Sequence, residues 1–100
     1  VADSDTRRLQ VTIRYFAAAR AAAGLTEETL PVAASEPDDP AGHLTSVGAV
    51  VALIAERHGS ALTRVLPRCS YLLDEVAVHG PATPVRDGQV LDVLPPFAGG

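Results

Sequence analysis

One hundred residues make a single domain with room for one modest core. A composition of 47% hydrophobic and 20% charged residues excludes a disordered chain, and aromatics at 4% leave Val, Leu and Ile to build that core. A net charge of −4 argues against nucleic acid or an anionic membrane as the main partner, and a lone cysteine, Cys69, excludes an internal disulfide.

The first residues, Val1 to Gln10, are polar and lack the apolar centre of a signal peptide. With no apolar run near the ~20 residues of a membrane span, a cytoplasmic protein is expected, with residues 1–8 a flexible N-terminus. From Leu9 to Phe16 the chain alternates: Leu9, Val11, Ile13 and Tyr15 on one face, Gln10, Thr12, Arg14 and Phe16 on the other. That is a strand with one buried face. Ala17–Ala23 is a short helix by propensity, closed by Gly24. Glu28–Val32 reads as a second strand, and Pro31 within it favours a sheet edge.

Residues 33–43 are turn-rich and acidic, with Glu36, Asp38 and Asp39, and predict a surface loop. Ser46 is placed to cap a helix running to about His58, in which Val47, Val50, Val51 and Ile54 recur at helical spacing before Gly59. Leu62, Val65 and Leu66 form a shorter apolar cluster stopped by Pro67. Ser70–Leu73 and Val76–His79 predict two short strands around an Asp74-Glu75 turn, and residues 80–84 predict irregular chain. Asp87-Gly88 is a turn signal before the last strand, Gln89–Leu94, in which Leu91 and Val93 face one way and Val90, Asp92 and Leu94 the other. Strands around one amphipathic helix predict an α+β fold: a mixed sheet with the main helix packed on one face.

Pro95-Pro96 cannot continue a ladder, because proline has no N–H to donate. The chain then closes on Phe97, Ala98, Gly99 and Gly100. A Gly-Gly end is slender enough to thread a narrow tunnel, and it is also how an ordinary frayed terminus ends. All 8 basic residues are arginine, so no side-chain amine offers a site for an isopeptide bond.

The segments VTIRYFAAARAAAG and DGQVLDVLPPFAGG, with the mid-chain helix between them, resemble the small subunits of molybdopterin synthase. These are sulfur carriers of the ubiquitin-like β-grasp class. The resemblance runs from Val11 to Gly100, and its most specific part is the spacing of Asp87, Gly88, Pro95, Pro96, Gly99 and Gly100. The Asp74-Glu75 turn departs from the Asn-Gly-like turn often found there, and the acidic loop is longer than usual. The resemblance implies a β-grasp domain over residues 1–100, with a reactive tail at 95–100 and Gly100 as the reacting residue. It implies no bound cofactor. An adenylyltransferase resembling ubiquitin-activating enzymes would use ATP to convert Gly100 to an adenylate, a persulfide would replace AMP, and the thiocarboxylate would enter the synthase large subunit through Phe97, Ala98 and Gly99. There it would give sulfur to a pyranopterin precursor. Sulfur supply for thiazole, cysteine or tRNA thiolation is an alternative, as is a ubiquitin-like binding module with an inert tail.

The remaining residues offer no self-contained catalytic set. His43, His58 and His79 lack metal-ligand spacing, and Cys69 reads either as a small core residue or as a sulfur-handling thiol. Phe16 and Leu94 break the polar pattern of their own strand faces. With the first and last strands adjacent, as in β-grasp proteins, Phe16, Val90 and Leu94 would form a partner-docking patch on the face away from the helix. The alternative is a Phe16 folded under Ala17–Ala23.

Overall fold

The alternation in the first strand sets the layout. In the computed structural model, which describes residues 8–35 and 43–96, β1 (Arg8–Tyr15) buries Leu9, Val11, Ile13 and Tyr15 and turns the intervening residues outward. The expectations for the start of the chain, for the acidic residues Glu36, Asp38 and Asp39, and for Phe97, Ala98, Gly99 and Gly100 lie outside the described residues. Arg8 belongs to the strand rather than to the segment before it, and pairs with Ala33.

Helix α1 (Ala17–Ala23) ends where predicted, with Gly24 in the left-handed region at φ 81° donating to the Arg20 carbonyl. β2 (Glu27–Ala33) returns antiparallel to β1 at the sheet edge, where the missing N–H of Pro31 leaves no inner ladder bond unmade. After β3 (Leu44–Ser46) comes α2 (Val47–His58), the main helix. Ser46 caps it, accepting from the Ala49 N–H at 3.1 Å, while the Val47 and Gly48 amides donate to Thr83 and Pro81. The first free donors of the helix are thereby used to hold the 80–84 segment. Gly59 links α2 to α3 (Ser60–Val65), which tightens into a 3₁₀ turn over Leu66–Arg68.

β4 (Ser70–Leu73), β5 (Val76–Ala77) and β7 (Val90–Leu94) complete the main sheet, in the order β2-β1-β7-β4-β5. Only the β1–β7 pair is parallel, so the sheet is mixed. Pro84, read as part of irregular chain, instead opens β6 (Pro84–Arg86), which pairs with β3 in a small second sheet that buries Thr45 and Val85. Three residues per strand are too few for alternation to show.

The core lies between one face of the main sheet and the helices. Ile13, Leu91 and Val93 from the sheet meet Val50, Ile54 and Leu62 from the helices, all fully buried. Each such side chain contributes roughly 1.5–3 kcal/mol relative to exposure. Glu28 has the same inward parity as Leu30 and Val32, and its carboxylate is satisfied on all sides. It accepts from the Tyr15 hydroxyl at 2.6 Å, from Arg57 Nε at 3.0 Å and from His58 Nε2. The Tyr15 and His58 rings also meet edge to face, with centroids 5.7 Å apart. This cluster ties the edge strand to the C-terminal end of α2.

Burial pushes the Glu28 carboxyl up, but the donors from Tyr15, His58 and Arg57 outweigh it and hold it below its ordinary value. A carboxyl depressed in the folded state stabilises the fold above its unfolded pKa, about 4.5, and loses that contribution as pH falls through the lower folded value. Glu28→Gln should lower stability by about 1–3 kcal/mol at neutral pH. The gap between variant and parent, measured by thermal unfolding against pH, should narrow under acid. A second test concerns the β4–β5 turn, where Asp74 and Glu75 both have positive φ, 47° and 70°. Asp74 is anchored by the Val90 amide at 2.9 Å and the Gln89 side chain at 3.1 Å, whereas among the described residues no hydrogen bond holds the Glu75 side chain. Glu75→Gly should therefore raise stability by about 0.4–1 kcal/mol in denaturant unfolding.

Candidate functional site

The site is built where the last strand leaves the sheet. β7 lies between β1 and β4, so its C-terminal end emerges at the sheet centre rather than at an edge. The Phe16 amide donates to the Val93 carbonyl at 3.2 Å, past the last paired residues of the two strands, Tyr15 and Val93. Pro95 then follows without a donor. Pro95 is buried in the body while Pro96 is exposed. Both prolines border a cleft of about 200 Å³ lined also by Ala18, Arg64, Val65 and Arg68.

The register Thr12↔Val90 and Arg14↔Asp92 puts Phe16, Val90 and Leu94 on the face opposite α2. Phe16 is 37% exposed, so it is not folded under α1; Val90 and Leu94 are half-buried. The three are not contiguous, however. Between Val90 and the Phe16–Leu94 end lies an ion pair, Arg14 to Asp92, with Nε–Oδ1 at 2.6 Å and Nη2–Oδ2 at 2.8 Å. This two-point geometry fixes both side chains, and Asp92 is only 4% exposed although it points away from the core. The Arg14 guanidinium carbon also stands 5.9 Å from the Phe16 ring centroid, within cation–π range.

Leu72 joins this face, being paired with Asp92 from the other side and half-buried. Val76, 68% exposed, lies on the neighbouring β5. Sequence reasoning missed Leu72 and the ion pair. The parity of Ser70–Leu73 carried the signal for Leu72, and the opposite charges of Arg14 and Asp92 gain meaning only once β1 and β7 are neighbours.

Cys69 is half-buried, and its thiol donates to the Val65 carbonyl at 3.4 Å. Burial pushes its pKa up, which disfavours the reactive thiolate. Burial likewise raises the Tyr71 phenol to about 12, while its hydroxyl donates to the Leu66 carbonyl. His58 is committed to Glu28, and His43 and His79 are exposed. Among the described residues there is no group of three or more His, Cys, Asp or Glu side chains able to hold a metal, and no helix long and apolar enough to cross a membrane. The described residues thus bring the last strand out at the sheet centre with apolar side chains beside it.

Three solved structures are similar across nearly the whole chain. Small archaeal modifier protein 1 from Methanosarcina acetivorans is 22% identical with a TM-score of 0.69, covering 94% of this chain and 99% of that one. Urm1 from Trypanosoma brucei is 16% identical with a TM-score of 0.65, over 94% and 98% of the two chains. A chain of the complex of subunits 1 and 2 of molybdopterin-converting factor from Helicobacter pylori is 21% identical with a TM-score of 0.61, over 92% and 100%. At such identities the likeness establishes the fold, the ubiquitin-like β-grasp. No curated protein matches the sequence. The sequence does match the ThiS family model over residues 13–100, from the first strand through the terminal glycine, and the chain belongs to that family.

Proposed function

We propose that this chain carries sulfur as a thiocarboxylate on Gly100 and is the small subunit of a molybdopterin synthase. The observation that carries the reading is the match to the ThiS family extending to Gly100, combined with a last strand that delivers the chain end from the sheet centre past two prolines. A terminal carboxylate, with a pKa of about 3.5, is ionised and unreactive at neutral pH. In the proposed cycle it attacks the α-phosphate of ATP on an activating enzyme and pyrophosphate leaves. Persulfide sulfur then displaces AMP from the adenylate to give an acyl disulfide, and a thiol of the sulfur donor cleaves its S–S bond, leaving the thiocarboxylate on Gly100 and a disulfide on the donor. In the large subunit the thiocarboxylate sulfur passes to a pyranopterin precursor and water restores the carboxylate.

The six residues from Pro95 to Gly100 reach at most about 20 Å when extended, which suits entry into a partner's pocket. The choice of this pathway rests on the resemblance of the DGQVLDVLPPFAGG segment to molybdopterin synthase small subunits; the similar solved structures bear on the fold alone. In this reading Phe16 and Leu94, with Leu72 beside them, dock the large subunit while Phe97, Ala98 and Gly99 thread it. The body supplies position, and the enzymes supply the chemistry.

The deciding experiment incubates the protein with its activating enzyme, ATP and a persulfide source and reads intact mass. Replacement of one oxygen by sulfur is expected; an unchanged mass would identify an inert binding module. Deleting Gly100, or adding a residue after it, should abolish sulfur transfer without changing the melting temperature. Phe16→Ala and Leu94→Ala should each weaken binding to the large subunit by more than ~1 kcal/mol, measured by calorimetry. Unchanged affinity with a lowered melting temperature would instead make both side chains part of the core.

A further inference from the structure

The cleft at the root of the C-terminal segment has a charge opposite to that of the protein as a whole. Net charge is −4, yet among the described residues the only ionisable side chains lining this cleft are the guanidinium groups of Arg64 and Arg68. Both are exposed, and among the described residues neither forms an ion pair. Arg14 and Arg57, by contrast, are each held by a carboxylate. Arg64 lies in the last turn of α3 and Arg68 ends the 3₁₀ turn, four residues on. Like charges at that spacing repel within one helical segment. A positive charge near a helix C-terminus is favourable, and each arginine lies in the last turn of its own helical segment; what sets the two apart is that they line one hollow with no carboxylate in it among the described residues.

The floor of the cleft narrows the choice of ligand. Val65, Ala18 and the rings of Pro95 and Pro96 give it apolar walls between the two cations. An apolar floor with a basic rim suits an amphipathic acidic peptide segment better than a free inorganic anion. In a tail extended into a partner, the four residues beyond Pro96 reach up to ~14 Å. A phosphate carried on Gly100 of an extended tail would therefore lie far from the cleft. What meets the cleft when the tail enters a partner is the rim of the partner's opening.

We infer that the Arg64–Arg68 cleft docks an acidic segment at the mouth of the protein channel that receives the C-terminal tail. The inference rests on the proposed function for the existence of that channel. The cleft and the Phe16–Leu94 surface border the exit of the same strand, so the partner would grip the tail root through charge on one side and apolar contact on the other. Guanidinium groups suit such a role, offering paired donors to carboxylates.

The test compares the full chain with Arg64→Glu/Arg68→Glu and Arg64→Gln/Arg68→Gln, binding each to the purified large subunit at low and moderate salt. Thermal unfolding is measured alongside. The charge-reversed chain should bind at least tenfold more weakly, the neutral chain should fall between, and the salt dependence seen with the parent should flatten in both. Melting temperatures should stay close to the parent's. Equal affinities for parent and variants, with the parent binding well, would overturn the cleft assignment and leave the sulfur-carrier reading standing. Failure of the parent to bind the large subunit would overturn that reading and this inference with it. NMR shifts of Arg64 and Arg68 in the isolated chain test the other occupants. Saturable shifts with ATP or inorganic phosphate, or shifts on removing Gly99 and Gly100, would assign the cleft to a free anion or to the chain's own carboxylate.

Discussion

The parallel pairing of the first and last strands governs the rest of the structure. β7 must insert between β1 and β4, and once there it has neighbours on both sides and one fully buried face, with Leu91 and Val93 inaccessible to solvent. The junction is reinforced at its start. The Gln10 amide donates to the Asp87 carboxylate at 2.6 Å, the Gly88 amide to the Gln10 carbonyl at 2.7 Å and the Thr12 amide to the Gln89 carbonyl at 3.1 Å. These contacts join residues 77 or more positions apart, as between Gln10 and Asp87. The core cannot close before the two ends of the chain meet, a topology that slows folding relative to local pairing. It also fixes where the chain end emerges.

Two polar clusters sit on opposite faces of the sheet, and their energetics differ. Glu28 lies on the core side with its side chain 9% exposed, so its value depends on the donors from Tyr15, His58 and Arg57 all being present. Removing one partner of such a buried group leaves the desolvation penalty of the others uncompensated. The Arg14–Asp92 pair is half open, with the arginine side chain 38% exposed, and solvent screens much of its attraction. Its consequence is geometric. It keeps a charged pair between the apolar residues of that face, separates Val90 from Phe16 and Leu94, and positions the Phe16 ring through the guanidinium above it. A face interrupted in this way is less prone to indiscriminate association than an unbroken apolar patch.

The elements with strong local signals were legible from the sequence. The alternation of Leu9, Val11, Ile13 and Tyr15 gave β1, and Ser46 and Gly59 bounded α2 at the observed residues. β3 and β6 were not legible, because three residues show no period and Pro84 reads as a breaker rather than as the first residue of a strand. The neighbouring of β1 and β7 came from family resemblance, since no spacing rule orders strands within a sheet. Phe16, Val90 and Leu94 were correctly assigned to one face by parity, but their separation by Arg14 and Asp92 depends on a register between residues 78 positions apart. Glu28 was read only as part of a strand. Its inward parity with Leu30 and Val32 was the available clue, yet its partners arrive from a different element.

The exclusive use of arginine bears on the same end of the molecule. In the proposed cycle the chain end becomes an acyl adenylate, which any unprotonated amine within reach could attack, forming an amide and releasing AMP. A lysine ammonium in equilibrium with its amine is such a competitor, and its pKa falls readily when it is partly desolvated. A guanidinium stays protonated at any working pH and has no free electron pair to offer. Every cation among the 100 residues is a guanidinium apart from histidine and the terminal amine. Arg64 and Arg68, which line the cleft beside Pro95 and Pro96, thus supply positive charge without adding an amine to the chain. Charge for docking and inertness toward an activated terminus are then met by one choice of residue.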